Sequence, residues 1–225
     1  MKLQVTLDTM SVEEGIALLH DVAPFVDVIE VGTPLLLDAG MNAIREVKEA
    51  FPHVEVLADT KIWHDGTRIA ASALSHGADM VTILGGTTDA EVEAVVTYAR
   101  EHNGSVAADL SGVRSVVQRA SELEDLGVRY MMVPSGLRRT NPADDDALHR
   151  NTRAMGGTPL ALVRNVMRGL TRTTDVAVVD NITLDNLDDV LATKPGVLLV
   201  GRAILAATDP VSAAAEFKRR MQEAR

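Results

Sequence analysis

A run of charged residues follows the apolar stretch 54–58, and it contains residue types that can carry out acid–base chemistry. Asp59 and Lys61 are two residues apart, so on a regular strand both side chains point to the same side. A carboxylate beside an ammonium at the end of a buried strand perturbs the pKa of both groups and can bind a cation or move protons. A structural ion pair is the alternative. Trp63 and His64 crowd the pair, which favours a functional site.

Other polar residues follow the remaining apolar stretches of the chain. They are Asp8, Glu30, Asp109, Ser135 after Pro134, Asp180-Asn181 and Gly201-Arg202. Acidic side chains are rarely buried unless they are paired or bind a metal. Glu30 and Asp59 follow adjacent strands and form a natural pair of oxygen ligands for Mg²⁺. The alternative is that Lys61 and a nearby arginine neutralise them without a metal.

Gly201-Arg202 comes after the last apolar stretch and begins a short predicted helical turn. Backbone N–H groups, a helix N-terminus and a guanidinium all favour a phosphate group. In barrels of alternating strands and helices, phosphate is often held by the loops after strands seven and eight. The dipeptide is therefore a candidate phosphate site.

Short apolar stretches alternate with amphipathic ones along the whole chain. We predict eight strands, at 3–7, 26–31, 54–58, 80–84, 105–110, 130–133, 176–179 and 197–200. Strands separated by helices predict a parallel sheet with right-handed crossovers, and eight of them favour a closed (β/α)8 barrel over an open sheet. No GxGxxG motif follows the first strand, which disfavours a dinucleotide-binding fold. We predict an α/β protein with a single barrel domain over 1–225.

Two parts of the prediction are less regular. After residue 32 the pattern predicts one helix that continues to about residue 50. Between the sixth and seventh strands, a helix is predicted to start at Pro142. The stretch 158–172 follows it and is predicted to be a second helix, or a helix preceded by a short strand.

Composition excludes several classes of function. The net charge of -10 argues against a nucleic-acid backbone or an anionic membrane as a partner, and 3% aromatic residues argue against base stacking. The chain has no cysteine, which rules out thiolate chemistry and disulfides. The first residues run directly into a strand without a signal-peptide pattern, so we expect a cytoplasmic protein.

Several spaced motifs together resemble a known family. They are Leu7-Asp8, Ile29-Glu30-Val31-Gly32-Thr33-Pro34, Ala58-Asp59-Thr60-Lys61, Gly77-Ala78-Asp79, Asp109-Leu110 and Val200-Gly201-Arg202-Ala203-Ile204. This set resembles 3-hexulose-6-phosphate synthase and its sister, 3-keto-L-gulonate-6-phosphate decarboxylase, in the orotidine monophosphate decarboxylase suprafamily. The resemblance covers nearly the whole chain.

The resemblance implies a homodimeric (β/α)8 barrel that uses Mg²⁺ to stabilise an enediolate of a sugar phosphate. It implies that Glu30 and Asp59 hold the metal and that Lys61 assists proton transfer. It further implies that Gly201-Arg202 binds the phosphate, while Asp8 and Asp109 order the substrate hydroxyls. Ser135 and Asp180-Asn181 are further candidates for substrate binding because they also follow strands.

The chain departs from the family pattern at three places. The family carries Asp-x-Lys-x-x-Asp, whose second aspartate reaches the partner subunit's site, but here His64 takes that place and Asp65 comes one residue late. A shift of one residue at a helix start turns a side chain by roughly 100°, so Asp65 is not a simple substitute. His64 could serve as an acid or a base instead. The relatives also have a histidine after strand six and a glycine pair after strand seven, where this chain has Pro134 and Asp180-Asn181.

Three classes of function follow from this pattern. The first is a Mg²⁺-dependent lyase: a synthase that joins ribulose 5-phosphate to formaldehyde, or a β-keto acid decarboxylase. The second is a non-catalytic descendant that binds a sugar phosphate. The third, an isomerase or epimerase, needs an acid–base group opposite Lys61, and His64 is the evident candidate.

Overall fold

The computed structural model describes residues 1–8, 10–137, 160–171 and 174–224. Within them, parallel strands close into a barrel in the order β1 to β8, with β8 paired to β1. The strands are β1 (Lys2–Leu7), β2 (Val28–Val31), β3 (Glu55–Ile62), β4 (Met80–Leu84), β5 (Ser105–Asp109), β6 (Tyr130–Pro134), β7 (Asp175–Val179) and β8 (Val197–Val200). The predicted (β/α)8 barrel is confirmed. That 1–225 form one domain stays a prediction.

Helices follow the strands on the outside of the barrel. Those in the described part of the chain are α1 (Val12–Val22), α2 (Thr33–Ala39), α3 (Asn42–Ala50), α4 (Gly66–Ser75), α5 (Asp89–Glu101), α6 (Val116–Asp125), α7 (Ala161–Gly169), α8 (Leu187–Leu191), α9 (Arg202–Leu205) and α10 (Pro210–Glu223), with a 3₁₀ turn at Ala23–Phe25. None of the described helices is long and apolar enough to cross a membrane.

Two predictions about helices need correction. The predicted single helix to residue 50 is two helices, because Gly40 ends α2 with a φ of 73°. The stretch 158–172 contains α7 over its middle and no strand within 160–171, while its ends lie outside the described residues. The helix predicted to start at Pro142 also lies outside them.

Alternation along the strands separates the outer core from the barrel interior. Leu3, Val5 and Leu7 of β1 belong to the large cluster that lies between the sheet and the helices. A second, smaller group of buried side chains faces the barrel axis, and we call it the inner cluster. It contains Val28, Leu57, Met80, Ala107, Tyr130, Met132, Ala177, Val179 and Val197. Polar side chains therefore concentrate at the carboxyl ends of the strands, which we call the mouth.

Candidate active site

The Lys61 side chain joins two buried carboxylates at the mouth. Its Nζ lies 3.0 Å from Asp59 Oδ2 and 3.1 Å from Asp109 Oδ2. Both carboxylates are nearly buried, whereas 40% of the Lys61 side chain is exposed. Burial lowers the pKa of Lys61, but the charges of Asp59 and Asp109 outweigh it and raise this pKa above its ordinary value. Lys61 therefore keeps its proton through the neutral range.

A backbone irregularity in β3 places Lys61. Its φ is 44°, in the left-handed region, and the pairing of β3 with β4 shifts register between Ala58 and Ile62. The Lys61 N–H donates to Thr82 Oγ1 at 2.8 Å, which fixes the bulge to the neighbouring strand. The predicted contact between Asp59 and Lys61 is thus confirmed, but the regular strand alternation used to predict it is wrong.

Two threonines orient the Asp59 carboxylate. Thr33 Oγ1 donates to Asp59 Oδ2 at 2.8 Å, and Thr82 Oγ1 donates to Asp59 Oδ1 at 2.8 Å. With Lys61, each carboxylate oxygen has donors from two directions. Asp109 is held similarly, since the N–H of Ser111 donates to its Oδ1 at 2.8 Å. Both acids are rigidly placed, as a site that must orient a small substrate requires.

Glu30 is the most deeply buried acid of the site, with 3% of the residue exposed. Gln4 Nε2 donates to its Oε2 at 2.9 Å, and the Tyr130 hydroxyl donates in turn to Gln4 Oε1. Burial, and then the nearby charge of Asp59, raise the pKa of Glu30 well above its usual range. Burial likewise raises the pKa of Tyr130, so its hydroxyl remains a donor.

Asp8 lies at the mouth end of β1, in close contact with the backbone that follows β2. A Cβ on Gly32 would lie 2.0 Å from Asp8 Oδ1 and 2.7 Å from the Leu7 carbonyl oxygen, so only glycine fits there. Burial raises the pKa of Asp8, and the charge of Asp59 adds to this effect. A hydrogen bond from Thr6 and the charges of Lys61 and Arg202 lower it.

The donor set is compatible with a magnesium ion. Glu30, Asp59 and Asp8 are close enough that the charge of one raises the pKa of another, and a divalent cation would relieve this repulsion. Within the described residues, no three acidic or histidine side chains converge with metal-binding geometry. Mg²⁺ usually takes one or two carboxylates and completes its octahedron with water or substrate oxygens, so Glu30 and Asp59 could hold it.

His64 and Asp65 lie on an exposed loop and contact each other. His64 Nδ1 is 3.1 Å from Asp65 Oδ2, and the two side chains are 78% and 75% exposed. Asp65 has a φ of 54° and immediately precedes α4. Among the hydrogen bonds of the described residues, neither side chain reaches Lys61 or Asp59 of the same chain. Their predicted catalytic roles remain predictions.

The loop after β7 is fixed by its own hydrogen bonds. Asp180 and Asn181 have φ values of 72° and 55°, in the region that glycine favours. Ser135 Oγ donates to the Asp180 carbonyl at 2.6 Å, and Asn181 Nδ2 donates to the Leu137 carbonyl at 3.1 Å. Ser135 and Asn181 thus hold the loop in shape, and their binding of substrate stays a prediction.

Gly201 and Arg202 stand where β8 ends and the single-turn helix α9 begins. A Cβ on Gly201 would lie 3.0 Å from the Thr6 side chain, so this position is tight. Arg202 is exposed, and its charge is close enough to lower the pKa of Asp8. A guanidinium therefore lies near the mouth at the end of β8, as the predicted phosphate site requires.

Four residues of the site were not anticipated from the sequence: Gln4, Thr33, Thr82 and Tyr130. Each is an ordinary residue of a strand or helix start, and its partner is distant in sequence. Thr82 and Gln4 interrupt apolar strands at positions that face the barrel axis, which is the one signal that could have pointed to them.

Comparison with known proteins gives a consistent result. A family model described as "Orotidine 5'-phosphate decarboxylase / HUMPS family" matches residues 1–217. The 3-hexulose-6-phosphate synthase of Bacillus subtilis (strain 168) is 34% identical over 218 residues, which are 97% of each chain. The crystal structure of 3-hexulose-6-phosphate synthase from Salmonella typhimurium has a TM-score of 0.87 and 31% identity, and covers 100% of both chains. A ligand complex of KGPDC from Streptococcus mutans has a TM-score of 0.84 and 25% identity, over 99% of this chain and 97% of that one.

Proposed function

The chain belongs to the orotidine 5′-phosphate decarboxylase / HUMPS family, and from this we propose that it is a carbon–carbon lyase that joins ribulose 5-phosphate to formaldehyde. The similarity to 3-hexulose-6-phosphate synthases over 97% of the chain supports this substrate pair. The observation that carries the proposal is Lys61, whose ammonium bridges two nearly buried carboxylates at the mouth.

The reaction needs a base, a means to hold negative charge and a proton donor. A base removes a proton from the carbon next to the ketone of ribulose 5-phosphate, and the resulting enediolate carbon attacks the carbon of formaldehyde. A C–C bond forms, and the former formaldehyde oxygen gains a proton. Lys61 stays protonated, so we assign it the roles of stabilising the enediolate and returning a proton.

We assign Glu30 and Asp59 as the groups that would hold Mg²⁺, on the basis of their charges and burial. When bound, the ion would supply positive charge next to the developing enediolate. Thr33 and Thr82 keep the Asp59 carboxylate in one orientation. We propose that Asp8 and Asp109 orient the substrate hydroxyls, while Gly201-Arg202 takes the phosphate, with Asp180, Asn181 and Ser135 shaping the rim.

We propose that His64 supplies the base and that Asp65, 3.1 Å away, orients its ring. Both side chains are exposed, and within the described residues neither hydrogen-bonds to Lys61 of its own chain. We therefore propose that the chain forms a homodimer in which this loop serves the partner's site. The protein would work in the cytoplasm.

Mixing two inactive variants tests the shared site. In a heterodimer of Lys61→Met and His64→Ala, one site would contain Lys61 from one protomer and His64 from its partner. Random mixing should therefore restore about a quarter of wild-type turnover. If His64 served its own protomer's site, both sites of the heterodimer would lack one group and mixing would restore nothing.

Turnover of two substrates tests the reaction. Purified protein with Mg²⁺ is offered ribulose 5-phosphate plus formaldehyde in one assay and 3-keto-L-gulonate 6-phosphate in another, each repeated with EDTA. We expect metal-dependent consumption of formaldehyde in the first. Release of CO₂ in the second would instead support the decarboxylase alternative, which the similarity to KGPDC favours.

A third outcome would move the protein to another class. If the folded protein turned over neither substrate yet bound ribulose 5-phosphate in a titration, it would be a catalytically altered member of the family that binds a sugar phosphate. The replacement at His64 and the Asp180-Asn181 pair are the sequence features that would explain this result.

A further inference from the structure

Three polar side chains form a chain of hydrogen bonds across the barrel interior. The Tyr130 hydroxyl on β6 donates to Gln4 Oε1 on β1, and Gln4 Nε2 donates to Glu30 Oε2 on β2 at 2.9 Å. All three residues are buried, with 4%, 0% and 3% of their surfaces exposed. The residues at the two ends of the first hydrogen bond are 126 positions apart in the sequence.

The surroundings of this chain are apolar. The Tyr130 ring belongs to the inner cluster, together with Val28 and Leu57 from the strands beside Glu30. Polar groups in such surroundings cost stability unless they are hydrogen-bonded, and a leucine at position 4 would fill the interior without this requirement. Packing alone therefore does not account for an amide at this position.

The chain does have a definite effect on Glu30. A carboxylate only accepts hydrogen bonds, so Gln4 must present its NH₂ group to Glu30, and the Tyr130 hydroxyl satisfies the opposite end of the amide. Glu30 Oε2 is thereby held in place. No hydrogen bond to Glu30 Oε1 occurs among residues 1–8, 10–137, 160–171 and 174–224, so this oxygen has no competing donor there.

We propose that Gln4 and Tyr130 are positioning residues that hold one oxygen of Glu30 so that the other is presented to a divalent cation at the mouth. This inference rests on the proposed function, in which Glu30 is a metal ligand. Partners behind a metal ligand fix its orientation, and their loss weakens metal binding without removing any ligand.

The test measures metal binding in the absence of substrate. Mn²⁺ is titrated into the wild-type protein and into Gln4→Met, Tyr130→Phe and the double variant, and the free ion is followed by electron paramagnetic resonance. We expect Gln4→Met to weaken Mn²⁺ binding roughly 10–100-fold, the usual effect of losing such a partner. Tyr130→Phe should have a smaller effect in the same direction and, as the minimal change, it keeps the test usable if Gln4→Met fails to fold.

The double variant separates positioning from packing. Because the hydroxyl acts only through the amide, Tyr130→Phe should have no further effect on Mn²⁺ affinity when Gln4 is already replaced. Thr193→Val is the control: it removes a buried hydroxyl that bonds the Val190 carbonyl at 2.7 Å, and it should lower stability without changing Mn²⁺ affinity.

The outcomes distinguish this inference from the proposed function. Unchanged Mn²⁺ affinity in folded Gln4→Met and Tyr130→Phe, with the wild type binding normally, would overturn the positioning role alone. Additive losses in the double variant would also overturn it. A wild-type protein that binds no Mn²⁺ would overturn the metal site itself.

Discussion

Replacing Lys61 by methionine removes the charge that bridges two acids while keeping most of the side-chain volume. The Nζ atom that is lost lies 3.0 Å from Asp59 and 3.1 Å from Asp109, and both carboxylates are nearly buried. Asp59 would keep its two threonine donors, and Asp109 would keep the Ser111 N–H. The variant should therefore fold but be destabilised.

The cost can be bounded from the geometry. Removing one partner of a fully buried ion pair costs about 3–5 kcal/mol. Because 40% of the Lys61 side chain is exposed, solvent screens part of the interaction, and the hydrogen bonds that remain reduce the penalty further. We expect Lys61→Met to lose about 2 kcal/mol of unfolding free energy. For a domain of this size, this corresponds to a melting temperature about 4–8 °C lower.

The sign of the pH dependence follows from the raised pKa of Lys61. A cation with a raised folded pKa contributes its full stabilisation below the unfolded pKa of about 10.4 and loses it as pH rises through the folded value. The difference in stability between wild type and Lys61→Met should thus be constant between pH 6 and 9, roughly, and should shrink above about pH 10.5.

Urea unfolding at several pH values, followed by circular dichroism, measures this difference, and the two-substrate assay measures turnover. Lys2→Met is a matched control because Lys2 is 42% exposed and pairs with a single carboxylate, Glu55, at 2.8 Å. The control should cost less than about 1 kcal/mol and leave turnover unchanged. A Lys61→Met protein as stable as wild type, or one that retains turnover, would refute the bridging role or the catalytic role respectively.

Three further changes give distinct results. Glu30→Gln should raise unfolding stability in EDTA by about 1–3 kcal/mol near pH 8, because the raised pKa of Glu30 makes its ionised form costly. This carboxyl contributes stability below its unfolded pKa of about 4.3 and loses that contribution as pH rises, so the gain measured in urea should vanish near pH 4. Gly32→Ala should displace the Asp8 carboxylate and lower kcat/KM at least tenfold, about 1.4 kcal/mol, whereas the control Gly86→Ala, with a nearest contact of 3.4 Å, should not. Arg202→Ala should raise KM for the sugar phosphate by roughly 10–100-fold with a smaller change in kcat, since it removes a charge-assisted contact; an unchanged KM would exclude Arg202 from the phosphate site.

The fold could be predicted because strand and helix periodicities alternate cleanly along the chain. Predicted and observed strands agree most closely where apolar stretches end abruptly, as at Met80–Leu84 and Val197–Val200. They differ at Glu55–Ile62, where the strand continues through Asp59 and Lys61 because the bulge lets polar side chains turn into the mouth. A bulge that depends on a hydrogen bond to another strand leaves no local signal.

The acids and the lysine of the site could be predicted because charged residues at strand ends are conspicuous. The residues that orient them could not, since Thr33 and Asp59 are 26 positions apart and Gln4 and Tyr130 are 126 apart. Closure of the barrel alone brings such pairs together. His64 and Asp65 illustrate the converse: the sequence singles them out, but their function depends on what lies opposite an exposed loop.

The inner cluster has a consequence for the movement of protons and water. Its buried apolar side chains fill the barrel below the carboxylates, so in the described part of the chain they close the route to Lys61 from the amino-terminal end. Every proton exchanged with bulk water during turnover must then pass the loops at the mouth. Those loops would therefore control how long a proton taken from the substrate is retained, and hence whether a deuterium label at that carbon survives a catalytic cycle.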